Sequence, residues 1–214
     1  MPSDAGPRDW QVWHGQYDVP HSRLARRLRV VQQRLREAID RQPGAIHIVS
    51  MCAGQGRDVV GVLAAHPRRD EVSAVLVELE PRNVANAREA ATAAELSRVE
   101  VREADAALTD CYAGAVPAEI VLACGVFGNI PDEEIRRTIA WLPRMCAPGA
   151  TVLWTRGAEP DRDIRTLVRG WFTQSGFEEL AYDGAPETFG VGAARLVTAP
   201  PPFEPGVRLF TFFR

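Results

Sequence analysis

The chain contains no lysine; all 25 of its basic residues are arginine. That absence removes Schiff-base and pyridoxal phosphate chemistry, which need a lysine amine. It also removes a Walker A loop, whose lysine reaches the nucleotide phosphates. Cysteine is scarce. The four thiols, Cys52, Cys111, Cys124 and Cys146, lie far apart and form no C-x-x-C pair, so neither a zinc ligand set nor a disulfide framework is expected. The four histidines, His14, His21, His47 and His66, lack metal-ligand spacing, and no metal is expected. No apolar run reaches the roughly 18 residues of a helical membrane span. The first residues carry no apolar stretch of the kind a secretory signal needs, so a cytoplasmic address is expected. A formal net charge of -3 provides no global positive field, and neither nucleic acid nor a membrane is an expected partner.

What is present is ordinary in amount and ordered in pattern. With 214 residues, 46% of them hydrophobic and 25% charged, the chain suits one globular domain over 1–214. Residues 1–19 are polar and turn-rich, yet carry Trp10, Trp13 and Tyr17, aromatics that predict docking onto the rest of the protein. Over 22–41, Leu24, Leu28, Val31, Leu35 and Ile39 mark one face of a helix, stopped by Pro43-Gly44. Its other faces hold Arg23, Arg26, Arg29, Arg34 and Arg36, which read as a solvated surface. Strands and helices then alternate. Strands are expected at 45–51, 73–77, 99–102, 119–124, 150–155, 177–182 and 208–213. Helices are expected at 57–65, 81–96, from a cap at Asp132 onward, and at 161–175. A segment rich in glycine and proline separates the last two strands. This order predicts an α/β, Rossmann-like doubly wound domain with a mostly parallel seven-stranded sheet and an N-terminal helical extension. Residues 1–42 would supply a lid segment and helix, 45–155 the cofactor-binding core, and 156–214 the rest of the sheet with substrate-side loops.

In such sheets ligands bind beyond the carboxyl ends of the strands, where the winding reverses. The first strand runs into Cys52-Ala53-Gly54-Gln55-Gly56, whose glycines permit close backbone approach and positive φ. The second ends at Glu78, next to Leu79, where a carboxylate can accept both hydroxyl protons of a ribose. The third is followed by Asp105-Ala106, placed to accept a hydrogen bond from an adenine amino group. The fourth ends at Cys124-Gly125. Together these describe an adenosine pocket. A dinucleotide loop wants a third glycine where this chain has Val59, so a pyrophosphate site is disfavoured.

Over residues 45–155 the sequence resembles the class I S-adenosylmethionine-dependent methyltransferases. The stretches that carry the resemblance are IHIVSMCAGQGRDV, LVELEPRNVANAR, READA and EIVLACGVFGNIPDEE. The resemblance implies S-adenosylmethionine as cofactor. It puts Gly54 and Gly56 along the methionyl and ribose part, Glu78 on the ribose diol, Asp105 and Ala106 beside the adenine, and Cys124 to Phe127 near the sulfonium. Two positions depart from the family pattern: Ser50 stands where an acid is usual and Cys52 where a glycine is usual. The contacts near the methionyl amino group that the acid often organises would then fall to another residue.

Methyl transfer by in-line displacement needs alignment and exclusion of water, and a general base only for an acceptor protonated at neutral pH. His14 and Tyr17, in the N-terminal segment, are the candidate catalytic residues. Phe127, Asn129 and Arg156 are candidate substrate-binding residues. The Asn-Pro-Pro-Tyr loop of nucleic-acid methyltransferases is absent, and a small-molecule acceptor is expected. Two other functions stay open on the sequence: a non-catalytic S-adenosylmethionine-binding module, and an NAD-dependent oxidoreductase.

Overall fold

The computed structural model describes residues 16–158, 162–184 and 188–213. Trp10, Trp13 and His14 lie outside the described residues. The chain enters with a short 3-10 turn at Gln16–Asp18 and then helix α1, Arg23–Arg41. Ser22 caps α1, its hydroxyl accepting from the Ala25 amide at 3.0 Å. At the other end the Arg68 guanidinium donates to the carbonyls of Ile39 and Gln42, both at 2.7 Å, satisfying groups that the helix leaves open.

Strand β1 (Ile46–Met51) is followed by a five-residue helix α2 (Val59–Leu63) and strand β2 (Val72–Glu78). Helix α3 (Pro81–Ala93), strand β3 (Val99–Glu103) and strand β4 (Ala118–Ala123) come next. Helix α4 (Asp132–Trp141), strand β5 (Cys146–Gly157) and helix α5 (Arg165–Gln174) precede the last two strands, β6 (Phe177–Asp183) and β7 (Phe189–Leu196). All seven strands form one sheet in the order β3-β2-β1-β4-β5-β7-β6. Strands β1 to β5 run parallel; β7 is antiparallel to both β5 and β6.

The buried residues divide by the period of two that a strand imposes. Ile48, Leu76, Leu122 and Leu153 point to the face covered by α1, α2 and α3. Val49, Val75, Val121 and Val152 point to the opposite face, under α4 and α5. Helix α1 is thus part of a covering layer, touching α2, β5 and β7. Its arginines are not uniformly solvated as the sequence suggested. Arg34 forms a forked ion pair with Asp183 at the end of β6, 2.7 Å and 2.8 Å, and so ties α1 to the far edge of the sheet. Among the described residues no helix is long and apolar enough to cross a membrane.

The structure corrects the assignment of the last strand. Residues 208–213 make only an isolated bridge, Leu108 with Arg208, and run as a strap past α4, with the Leu209 amide on the Ala107 carbonyl at 2.8 Å. The seventh strand is instead drawn from the glycine-rich stretch before it. Its weak strand signal has a packing cause: Trp154 pairs across from Gly192 and lies over it, so that a side chain there would collide with the indole ring. The ring stacks in turn on Tyr182 and Phe172. Asp132 likewise does not cap α4. Pro131 holds the cap position without a side-chain bond, while Asp132, Glu133 and Glu134 fill the first turn, where acids suit the helix N-terminus.

Gly192→Ala is expected to destabilise the fold by about 1–3 kcal/mol, the usual range for overpacking. Chemical denaturation checks it; an unchanged midpoint would mean that β7 does not need an open position beneath Trp154.

Candidate functional site

The strand order reverses between β1 and β4, and a cavity of about 460 Å³ opens at the carboxyl ends of the strands there. Its floor is the turn after β1. Cys52 (φ 49), Gly54 (φ 56) and Gly56 (φ 68) all adopt left-handed backbone. The Ala53 amide bonds the Val77 carbonyl at 2.9 Å, fastening the turn to β2. A non-glycine residue in this region is strained, and Cys52 is held there by the bonds around it. Burial, with Glu78 and Asp105 nearby, pushes the Cys52 thiol well up, so it stays neutral and is no nucleophile.

Glu78 spans two loops. One carboxylate oxygen accepts from the Gly54 amide at 2.8 Å and the other from the Glu80 amide at 2.9 Å. A carboxylate has about four acceptor positions, so about two remain for a ligand's hydroxyl groups. Asp105, after β3, accepts from the Ala107 amide at 2.9 Å and from Arg208 at 3.1 Å. Leu79 stands beside them at the cavity mouth, 62% exposed, an apolar surface that a flat ring can cover.

On the β4 side, Gly125 (φ 85) has open space where a Cβ would stand, and its amide donates to the Thr155 hydroxyl at 2.8 Å. The Asn129 side-chain amide donates to the Gly125 carbonyl at 2.6 Å, bracing the turn. Cys124 borders the same space, and burial raises its thiol far above the ordinary range.

Both ends of the described chain reach the cavity as well. Tyr17 lines it, with Arg27 of α1 donating to its hydroxyl at 3.0 Å and the Arg57 guanidinium over its ring at 5.6 Å. Asp18 pairs with Arg57 at 2.6 Å, which fixes the N-terminal turn to the glycine loop. Phe212, on the C-terminal strap, also lines it.

Of the residues expected to hold a cofactor, Cys52, Ala53, Gly54, Glu78, Leu79, Asp105, Ala106 and Cys124 all border this one cavity. Gly56 does not. It lies beneath the turn, where a Cβ would stand 3.0 Å from Leu76 and 3.2 Å from Val60, so its role is to let the loop pack on the sheet. Of the substrate candidates, Asn129 borders the cavity. Phe127 is fully buried against Phe172 and belongs to the core. Arg156, 6% exposed, donates to the Gly157 carbonyl and is not among the residues that line the cavity. Tyr17 is in place, with burial raising its pKa against the lowering charge and hydrogen bond of Arg27. His14 lies outside the described residues.

Residues that the sequence did not single out complete the wall: Arg27, Leu28 and Val31 from α1, then Asp58, Asn83 and Phe212. Leu28 and Val31 were legible only as core positions of an amphipathic helix. Asp58 sits beside the glycine loop, and its carboxylate accepts from the Val59 amide at 2.8 Å. Burial raises its pKa, opposed by the Val59 bond and the charge of Arg27. Asn83 is 2% exposed and its side-chain oxygen has no hydrogen-bond partner.

A family model described as "Putative methyltransferase" matches residues 21–163, from the start of α1 to past the end of β5. Among solved structures, the carbon methyltransferase CurJ is similar with a TM-score of 0.68 at 12% identity, over 87% of this chain and 58% of that one. An O-methyltransferase family protein from Burkholderia thailandensis is similar with a TM-score of 0.59 at 16% identity, over 87% of this chain and 68% of that one. CalO1, a methyltransferase of calicheamicin biosynthesis with S-adenosylhomocysteine bound, gives a TM-score of 0.54 at 18% identity, over 77% of this chain and 53% of that one. The chain thus spans between about half and two thirds of the length of these three. No curated protein matches it in sequence.

Gly56→Ala is expected to lower stability by about 1–2 kcal/mol, the penalty of left-handed backbone for a residue with a Cβ. Thermal unfolding measures it; full stability in the variant would refute the packing role.

Proposed function

Since the chain belongs to the class I S-adenosylmethionine-dependent methyltransferase family, we propose that it transfers a methyl group from S-adenosylmethionine to a small-molecule acceptor by in-line displacement. When bound, S-adenosylmethionine supplies a methyl group activated by a sulfonium. The observation that carries the reading is the pair of carboxylates flanking the glycine loop. Glu78 accepts two loop amides and keeps acceptor capacity toward the cavity. Asp58 takes the first amide of α2, a donor that a pyrophosphate would otherwise use, and puts a carboxylate where phosphates would lie. With Val59 fully buried in place of a third glycine, the loop suits a cofactor without phosphates and a cationic sulfur better than a dinucleotide.

The remaining residues fit the same donor. Asp105 offers an acceptor to an adenine amino group, and Leu79 and Ala106 offer apolar surface to its ring. Gly125 leaves room beside Cys124 for the reacting end. Tyr17, Asn129 and Phe212 line the same cavity and would border the acceptor. Holding two reactants in line can lower a barrier by about 7–11 kcal/mol, which leaves little for acid-base chemistry to supply. A cavity of about 460 Å³ is near the low end for small-ligand sites, commonly about 300–1,000 Å³, and favours a small acceptor.

Calorimetry tests the reading. S-adenosylmethionine and S-adenosylhomocysteine are expected to bind and NAD not to. Glu78→Gln keeps one amide acceptor but loses the charge, and is expected to weaken both complexes about tenfold or more. Binding of NAD in preference to the S-adenosyl ligands, or an unaltered affinity in a folded Glu78→Gln protein, would sink the proposal.

A further inference from the structure

We propose that the acceptor carries an anionic group, a carboxylate or a phosphate, which Arg23 and Arg156 receive where their guanidinium groups meet at Gly157, the carboxyl end of β5. The inference rests on the reading that the cavity takes an S-adenosyl ligand and a small acceptor, and it narrows that acceptor to a chemical class.

Two elements bring these cations together. Arg156 and Gly157 close β5, and the Arg156 guanidinium donates to the Gly157 carbonyl at 3.2 Å. Arg23, the first residue of α1, lays its guanidinium against the same glycine, in the space a Cβ would occupy. The Arg156 Nη1 atom also lies 3.9 Å from where a Cβ of Gly128 would stand. Gly128 belongs to the turn after β4, between Gly125 and Asn129, and both of those line the cavity. Arg27, about one turn along α1 from Arg23, lines it as well. The pair thus stands just outside the cavity on its β5 side. Glu78 and Asp105 lie at the ends of β2 and β3, on the other side of β1, so a cofactor anchored there leaves this side to the acceptor.

The charges acting on Arg23 are all of one sign. Burial, with the like charges of Arg27, Arg156 and Arg165, lowers its pKa. Among the described residues Arg23 has no hydrogen-bond or ion-pair partner. Other arginines of this chain are answered by acids: Arg34 by Asp183, Arg57 by Asp18, and Arg165 by a fork onto Asp163 at 2.8 Å and 2.5 Å. Arg156 is buried, in surroundings where charges interact more strongly than in water. An anion at Gly157 would relieve the repulsion on Arg23 and meet two planar forks that match a carboxylate or a phosphate. An uncharged or cationic acceptor would do neither.

Calorimetry on the protein saturated with S-adenosylhomocysteine tests the proposal. The probes are benzoate and inorganic phosphate, with benzamide as the uncharged control, all at one ionic strength. At least one anion is expected to bind saturably, and benzamide to bind about tenfold more weakly or not at all. Which anion binds separates a carboxylate site from a phosphate site. Arg23→Gln, at an exposed position, is expected to weaken the anion about tenfold. Arg29→Gln removes an exposed charge from the same helix that is not among those acting on Arg23, and is expected to change it by less than about twofold. No binding of either anion, equal binding of benzamide, or an equal effect of the two substitutions overturns the acceptor class. An equal loss of S-adenosylhomocysteine affinity in Arg23→Gln would assign the cation to the cofactor and overturn it too. Failure of the wild-type protein to bind S-adenosylhomocysteine overturns instead the reading beneath the proposal, so the two failures are distinguishable.

Discussion

The Glu78 carboxylate bridges the Gly54 and Glu80 amides, and the geometry of the whole site follows from that bridge. The turn after β1 carries three left-handed residues in five positions, a conformation that would not hold by itself. Fastened to β2 through Glu78 and through the Ala53 amide, it becomes a rigid floor. The same carboxylate then faces the cavity at 9% exposure, where a charge-assisted hydrogen bond is stronger than in water. Under the proposed function, structural and binding roles would fall to different lone pairs of one side chain.

Around that floor Tyr17 and Phe212 act as walls. Asp18 and Arg57 join the N-terminal turn to the glycine loop, and Arg208 joins the C-terminal strap to Asp105. Each ion pair is partly exposed and worth little in isolation, about 0–1 kcal/mol. Their effect is positional: they bring Tyr17 and Phe212 onto the borders of one cavity, which the parallel strands alone would leave open.

The parallel core was readable because buried strands and short loops leave plain marks: apolar runs such as Val75 to Val77 and Ile120 to Ala123, then a glycine turn or an acid at the strand end. Gly54, Glu78 and Asp105 were legible for the same reason. The seventh strand was not, since Gly190 and Gly192 sit where aromatic rings lie over them, and glycine reads as a loop when the partner ring is unknown. The apolar C-terminal stretch misleads in the opposite direction: Leu209 and Phe210 are both buried, although their segment makes almost no strand pairing. Two glycines of one loop could not be told apart by sequence either, although Gly54 borders the cavity and Gly56 serves packing. Arg27 was one arginine among many on α1, and only its place opposite the loop separates it from Arg34, which holds the sheet edge.

The central claim is that one carboxylate both fixes the cofactor loop and anchors the cofactor's ribose. A crystal structure of the complex with S-adenosylhomocysteine tests it most directly. The account predicts both ribose hydroxyls on Glu78 at about 2.5–3.0 Å, the usual range for O–H···O bonds, with the Gly54 and Glu80 amides still bound to it. A ligand seated elsewhere in the cavity, or a Glu78 side chain turned away from the loop to reach the ribose, would contradict it.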